Sequence, residues 1–88
     1  MDVSELESQL HKAGFKRTYV WEDESEVFHA THTHPTETAH IILDGEMTLT
    51  MNGQSTTYYA GDRFDVPACT EHSALIGPQG CKYLIGEK

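Results

Sequence analysis

An Asn-Gly pair at positions 52 and 53 constrains the fold of this chain more than any other feature. Before the pair, Met47, Leu49 and Met51 alternate with polar residues, the period of two that is typical of a half-buried strand. After it, residues 55–59 are rich in threonine and tyrosine. Asn-Gly between two such segments is the strongest short-range signal for a β-hairpin, because both residues tolerate the positive φ of a type I′ turn. The centre of the chain is therefore predicted to be a hairpin.

Other turn signals recur about every ten residues after Gly14 and separate short segments rich in aromatic and β-branched residues. This rhythm predicts seven or eight short strands in an all-β sandwich or barrel over residues 15–88. The turns are expected at Asp44-Gly45, Ala60-Gly61-Asp62, Pro67 and the segment from Gly77 to Gly80.

Residues 3–13 are the one segment with helical spacing, because Val3, Leu6 and Leu10 form an apolar stripe. Ser4 is placed to cap the start of this helix, and Gly14 is placed to end it. We therefore predict a short N-terminal helix within residues 1–14 that belongs to the same domain as the barrel.

The charge of the chain excludes some partners. It has 14 acidic and 6 basic residues, a formal net charge of −8, and such a surface repels nucleic acids and anionic membranes. No apolar run approaches the roughly 20 residues that span a bilayer, and the first ten residues do not resemble a signal peptide. We therefore expect a cytoplasmic protein in which Cys69 and Cys81 are free thiols. Cys69 is interpreted as a small buried residue, with a redox-sensitive thiol or soft ligand as the alternative.

Three histidines fall within the nine residues 32–40. Residues two apart in a strand project to the same face, so His32 and His34 are predicted to project together. Each imidazole carries a donor and an acceptor that are costly to bury unsatisfied, which favours a pair of metal ligands over plain core. The same parity turns Phe28 inward and His29 outward, so His29 is interpreted as a surface residue.

Two further histidines and one glutamate are candidates for the remaining ligands. His40 shares a face with its neighbours two residues away, and it points back toward the first pair if that face is inward. Glu37, in the intervening turn, is the alternative to His40 as a carboxylate ligand. His72 follows a turn that begins a later strand and is a further candidate. Three or four histidines around an open site suit zinc, iron, manganese, cobalt, nickel or copper.

Two segments, in the right order, resemble the two sequence motifs of the cupin superfamily. The first cupin motif contains Gly, a His-x-His pair, then Glu, then a second Gly, and the second motif contains Gly, Pro, Gly and His. The matching residues here are His32-Thr33-His34 and Gly45 for the first motif, and Gly61, Pro67 and His72 for the second. The resemblance covers residues 26 to about 86. It implies a small cupin-type β-barrel, a jelly roll, with His32, His34 and His72 as metal ligands.

Four positions depart from the cupin pattern. Glu26 and Cys69 stand where the motifs have Gly, Thr38 stands where the first motif has its metal-binding Glu, and Ile76 stands where the second has Asn. Because the Glu is missing, the usual set of three His and one Glu does not carry over whole. His40 is expected to fill the vacancy, and four neutral ligands would favour zinc, copper, nickel or iron over magnesium.

The resemblance leaves the activity open, since one fold serves many chemistries. The first hypothesis is a small metal-binding cupin of unassigned activity, a module that binds a metal or a small molecule inside the barrel. The second is a metal-dependent enzyme of the dioxygenase, isomerase or lyase type, and the third is a metal-free structural barrel. A homodimer is also expected, because cupins commonly pair and because Tyr19-Val20-Trp21 lies in a strand with an exposed edge.

Overall fold

A computed structural model describes all 88 residues of the chain. It contains one helix and six strands, which confirms the predicted all-β fold with a short N-terminal helix. These elements are α1 (Val3–Lys12), β1 (Arg17–Asp23), β2 (Phe28–His32), β3 (Thr38–Met51), β4 (Gln54–Tyr59), β5 (Arg63–Val66) and β6 (His72–Glu87).

The six strands form one antiparallel sheet that curls into a small jelly-roll barrel. Its main path runs β1-β6-β3-β4, while β2 pairs with β6 and β5 pairs with β3. The two long strands β3 and β6 therefore each have three neighbours. They form the curved spine of the barrel, and β1 and β4 lie at the ends of the path.

The predicted turns at Asp44-Gly45 and Gly77–Gly80 are wrong, because β3 and β6 pass straight through them. The pairing of β3 with β6 instead shifts register twice around Asp44-Gly45, as β-bulges do where a strand bends. Gly45 has φ +80°, and a Cβ at this position would collide with the carbonyl oxygen of Gly80. A glycine is therefore required where the two spine strands bend together, and the fold has six strands rather than seven or eight.

The predicted hairpin at Asn52-Gly53 is present, with φ of 54° and 76°. Strands β3 and β4 pair in regular register from Glu46 with Tyr59 to Met51 with Gln54. Two consecutive positive φ values are what a type I′ turn requires, so local turn chemistry and strand pairing agree at this point.

Helix α1 begins after Asp2, whose Oδ1 accepts a hydrogen bond from the amide of Glu5 at 3.3 Å. The predicted cap at Ser4 is therefore wrong. A carboxylate at the N-cap serves the same purpose and also complements the positive end of the helix dipole. The helix ends at Lys12, and Gly14 follows with φ +99°.

The buried residues form two separate layers. The larger one fills the inside of the barrel and includes Ile42, Val66 and Ile76. The smaller one lies between α1 and the outer face of the spine strands, where Leu10, Phe15, Ala39, Ile41 and Leu84 pack together. Full burial of one such leucine stabilises the fold by roughly 1.5–3 kcal/mol. The helix thus covers one outer face of the sheet and leaves the inside of the barrel to the histidines.

Candidate metal centre

The inner face of the barrel surrounds a cavity of about 570 Å³. Apolar side chains of the spine strands, among them Met47, Leu49 and Ile85, form part of its wall, and Tyr19 and Trp21 of β1 border it. Five of the six histidines also line it: His29, His32, His34, His40 and His72.

Three of these histidines converge into a cluster, the histidine triad, formed by His32, His34 and His72. One ligand nitrogen from each lies within 4.8 Å of the other two. The ring centroids are 4.9 Å apart for His32 and His34, 4.3 Å for His32 and His72, and 5.0 Å for His34 and His72. Antiparallel pairing places His32 of β2 directly opposite His72 of β6, which explains how residues forty positions apart meet.

Backbone carbonyl groups fix the orientation of two triad imidazoles. Nδ1 of His32 lies 2.6 Å from the carbonyl oxygen of Ala30, and Nδ1 of His72 lies 2.9 Å from that of Thr70. A carbonyl oxygen only accepts, so each Nδ1 must donate, and the lone pair of a neutral ring is left on Nε2. Metal-binding histidines are held in the same way by an acceptor on their second nitrogen.

Two of the three triad imidazoles, those of His34 and His72, favour the neutral form. Burial lowers the pKa of His34, and the nearby rings of His72 and His32 lower it further. Burial also lowers the pKa of His72; the hydrogen bond to Thr70 opposes this change, and His32 adds to it. Neutral imidazole is the form that binds a metal ion, so the environment prepares these side chains as ligands.

His40 lines the same cavity but is not part of the triad cluster. Its ring stacks on Phe64, with centroids 4.6 Å apart and planes 11° from parallel, and its Nε2 is 3.2 Å from Oγ1 of Thr38. Its buried Nδ1 has no hydrogen-bond partner. Burial lowers the pKa of His40 to about 3, with the rings of His34 and His72 adding to the effect. His40 is therefore an inward, neutral imidazole beside the triad.

Glu37 is turned to a different partner. Its Oε1 lies 3.3 Å from Nζ of Lys88, and the residue does not line the cavity. Thr38, which stands where the cupin motif has its Glu, is buried and engaged with His40. The chain therefore brings no carboxylate into the triad cluster.

Two predicted orientations are wrong. His29 lines the cavity, whereas Phe28 is 62% exposed. The register of β2 against β6 shifts between His29 and His32, so the inward face changes parity along this short strand.

Cys69 is exposed rather than buried, and its amide donates to the carbonyl oxygen of His34 at 2.8 Å. Its main contribution to the site is thus a backbone bond that ties the loop before β6 to the triad.

A second polar group, the Asp23 network, borders the cavity through His29, Trp21 and Tyr83 and was not predicted. Oδ2 of Asp23 accepts hydrogen bonds from Nε2 of His29 and from the hydroxyl of Tyr83, both at 2.7 Å. Oδ1 accepts from the indole nitrogen of Trp21 at 2.9 Å. Burial raises the pKa of Asp23, but the hydrogen bonds from His29, Tyr83 and Trp21 outweigh it, and the pKa is lowered overall. Asp23 is therefore an ionised acceptor with three donors.

The sequence contained one signal for this network. Trp21 and Asp23 are two apart in a strand and share a face, but only the pairing of Trp21 with Tyr83 across β1 and β6 shows that this face is inward.

Comparison with known proteins places this geometry in context. Residues 20–84 match the Cupin_2 family, described as a cupin domain. No curated protein matches the chain. None of its helices is long and apolar enough to cross a membrane.

Solved structures with the same fold include a cupin-2 domain containing protein from Shewanella frigidimarina, 25% identical, with a TM-score of 0.68 over 80% of this chain and 67% of that one. A cupin superfamily protein from Desulfitobacterium hafniense is 22% identical, with a TM-score of 0.72 over 82% and 67% of the two chains. The DMSP lyase DddQ from Ruegeria pomeroyi is 24% identical, with a TM-score of 0.75 over 81% of this chain but only 36% of the lyase.

Proposed function

The chain belongs to the Cupin_2 family. We propose that it is a small metal-binding cupin that holds one divalent transition-metal ion through His32, His34 and His72. The observation that carries the proposal is the orientation of the triad. Three imidazoles converge within 4.8 Å, and two of them donate through Nδ1 to backbone carbonyls, which directs their Nε2 lone pairs to a ligand.

The donor set fits a borderline ion. Three neutral nitrogen ligands and no carboxylate favour zinc, iron, nickel or copper, with manganese less well matched because it prefers oxygen. Three protein ligands leave coordination positions for water or a small molecule, as in catalytic rather than structural zinc sites. A bound ion would supply Lewis acidity toward an oxygen atom of such a molecule.

His40 is the candidate for a fourth ligand, and Glu37 is the weaker alternative. His40 lines the cavity with a buried, unpartnered Nδ1, whereas Glu37 pairs with Lys88. The stack of His40 on Phe64 and its contact with Thr38 hold the ring beside the triad. Replacing His40 by alanine tests the role directly. If His40 is a ligand, its replacement should lower the metal affinity by at least about tenfold. An unchanged affinity would leave the triad as the complete set of protein ligands.

The remaining cavity residues would exclude water and accommodate a small molecule next to the ion. Met47, Leu49 and Ile85 supply apolar surface, and the opening lies beside Trp21, whose side chain is half exposed. A largely apolar cavity with a few convergent polar groups is the usual form of a small-molecule site.

The test is elemental analysis of tag-free protein as purified and after titration with zinc, iron, nickel, copper and manganese. We expect near-stoichiometric metal in the wild type and its loss in the double variant His32→Ala/His34→Ala. His11→Gln is the matched control, because His11 lies in the exposed part of α1 outside the cavity. If the wild type carries no metal and takes none up, the chain is a metal-free structural barrel.

We also propose a homodimer formed through the free edge of β1. This strand pairs only with β6, and its Val20 and Trp21 side chains are 39% and 51% exposed. An uncovered edge strand is stabilised by pairing with a second chain. A monomeric mass at micromolar concentration in light scattering would contradict it. The cytoplasmic location stays a prediction, and both cysteines are free thiols.

A further inference from the structure

We infer that His29 is a general base that faces the cavity, positioned by Asp23, and that it accepts a proton from a small, largely apolar carbon acid. The inference rests on the Asp23 network and not on the triad, so it stands or falls independently of metal binding.

The tautomer of the His29 imidazole follows from its hydrogen-bond partner, Asp23. Asp23 is ionised and can only accept, so Nε2 of His29 carries the proton in the 2.7 Å hydrogen bond between them. In the neutral ring the lone pair then lies on Nδ1. Nδ1 of His29 has no partner within the protein, and the side chain keeps 35% of its surface exposed where it lines the cavity. A carboxylate also fixes the tautomer of the histidine base in hydrolase triads, where Nδ1 donates and Nε2 is the base, the reverse of the arrangement here.

His29 is the only histidine in the chain that contacts a carboxylate. His32 and His72 donate to backbone carbonyls, and His11 contacts a carbonyl and a threonine hydroxyl. A negative partner stabilises the imidazolium that forms when a base takes up a proton, whereas a neutral carbonyl does so less. The charge of Asp23 therefore distinguishes His29 from the other histidines of the cavity.

Tyr83 is not the base, although its hydroxyl reaches the same carboxylate. Burial and the hydrogen bond to Asp23 raise the pKa of Tyr83, so it remains a protonated donor. Tyr83 and Trp21 both donate to Asp23 and help to keep that side chain in place. Tyr83 and Trp21 thus support the orientation of Asp23, which in turn orients His29.

The surroundings of His29 indicate the class of molecule it would act on. Strand pairing places His29 opposite Ala74, and Ala74 opposite Leu49, so the base borders an apolar wall inside the barrel. Such a wall binds apolar groups. A compact, largely apolar molecule with one acidic C–H bond would pack against this wall and present its proton to Nδ1 of His29.

The probe reaction is the ring opening of 5-nitrobenzisoxazole, which requires one base and no cofactor. Nδ1 of His29 would take the proton from C3, the C–H electron pair would form the nitrile, and the N–O bond would break to release a phenolate. Rates are measured for the purified protein at a pH of about 8, above the usual imidazole range. Each rate is measured with and without a chelator, so that a metal-bound hydroxide is separated from the side chain.

We expect His29→Gln to lower kcat/KM by about 100-fold or more, as loss of a general base does. Asp23→Asn should lower it by about tenfold or more, because the tautomer is no longer fixed. His11→Gln, outside the cavity, should leave the rate unchanged. Absence of turnover in the wild type, a rate that survives in His29→Gln, or a rate that the chelator abolishes would overturn the inference.

A second measurement needs neither turnover nor folded variants. Nitrogen-15 chemical shifts of the wild type report which ring nitrogen carries the proton. We expect His29 to be protonated on Nε2, and Asp23→Asn to give a mixture of tautomers. A proton on Nδ1 in the wild type would overturn the inference even if the variants failed to fold.

Discussion

In the histidine triad, His32 and His72 donate through Nδ1 to backbone carbonyl oxygens, whereas in the Asp23 network His29 donates through Nε2 to a carboxylate. The histidines of both groups line one cavity. They differ in the nitrogen that is left free and in the charge of the acceptor. A neutral acceptor leaves the ring as a ligand for a cation, while a charged acceptor stabilises the protonated ring and suits proton transfer.

The two groups also differ in the conditions that disrupt them. The histidines beside and within the triad resist taking up a proton, because burial lowers the pKa of His34, His40 and His72. Asp23 resists protonation for another reason, since its donors require an ionised carboxylate. Acid should therefore weaken the histidine side of the cavity first and the Asp23 network at lower pH.

The largest effect is expected from acid acting on His40. Its pKa is lowered from 6.5 to about 3, so below pH 6.5 the unfolded chain binds a proton that the folded chain does not. The stability contributed by neutral His40 is complete above that value and is lost as the pH falls toward 3. With a chelator present to remove metal, we expect the free energy of unfolding to decrease by on the order of 4 kcal/mol between pH 6.5 and 3. Urea titrations at a series of pH values measure it.

His40→Phe keeps the aromatic stack on Phe64 and removes the titrating group. Its stability should decline less steeply between pH 6.5 and 3, although His34 and His72 leave part of the slope. His11→Gln is the control and should follow the wild type. Equal slopes for His40→Phe and the wild type would show that His40 does not carry the effect.

Metal binding at neutral pH should depend on the histidine triad and not on the Asp23 network. An ion that binds only the folded chain stabilises it by about 2.7 kcal/mol at a hundredfold excess over Kd. We expect zinc to raise the unfolding temperature of the wild type and of His29→Gln, and to leave that of His32→Ala/His34→Ala unchanged. Stabilisation of the double variant by zinc would place the ion outside the triad.

The Asp23 network should show a graded response to mutation. Asp23→Asn replaces an ionised acceptor of three hydrogen bonds, and hydrogen bonds to charged groups contribute about 1.5–3 kcal/mol each. We expect the free energy of unfolding to fall by about 2 kcal/mol in Asp23→Asn and by about 1 kcal/mol in Tyr83→Phe, measured by urea unfolding at neutral pH. The difference in stability between the wild type and Asp23→Asn should vanish well below pH 3.8. The pKa of Asp23 is lowered in the folded chain, so this side chain stabilises the fold only while its carboxylate is ionised. A larger loss for Tyr83→Phe than for Asp23→Asn would contradict the central position of the carboxylate.

Local patterns were sufficient to predict much of this molecule. The Asn52-Gly53 hairpin follows from turn chemistry. His32 and His34 both line the cavity as predicted, but β2 ends at His32, so strand parity does not account for the position of His34. The position of His72 followed from its resemblance to the cupin motif. In each case the information lies within a few residues or within a motif of fixed spacing.

The features that were missed depend on pairing between distant strands. The bulges at Asp44-Gly45 and between His29 and His32 exist only relative to β6, and a shift of one residue reverses every inward assignment. The Asp23 network joins residues of β1, β2 and β6, including Asp23 and Tyr83 sixty positions apart. Period-two patterns cannot reveal such contacts, because they describe one strand at a time.

The departures from the cupin motifs acquire a physical meaning in the structure. Glu26 and Cys69, which stand where the motifs have Gly, adopt φ of 61° and 58°. The chain thus adopts a left-handed backbone at both positions without the residue that tolerates it best. Glu26 lies in the loop between β1 and β2, which joins Asp23 to His29. The backbone amide of Cys69 donates a hydrogen bond to the carbonyl oxygen of His34. One residue with a strained backbone therefore supports each of the two histidine groups.

Relief of this strain should produce the smallest effect. A left-handed conformation costs a non-glycine residue roughly 1–2 kcal/mol, and part of the gain from glycine is offset by the greater freedom of the unfolded chain. We expect Cys69→Gly and Glu26→Gly each to raise the free energy of unfolding by about 0.5–1 kcal/mol in urea titrations. The gains should add, because the residues lie in separate loops. Cys69→Ala and Glu26→Ala are the matched controls, and they should give no gain because alanine keeps the same backbone strain. If alanine stabilises as much as glycine, the replaced side chain rather than the backbone is the source of the cost, and the two histidine groups are not held by strained loops.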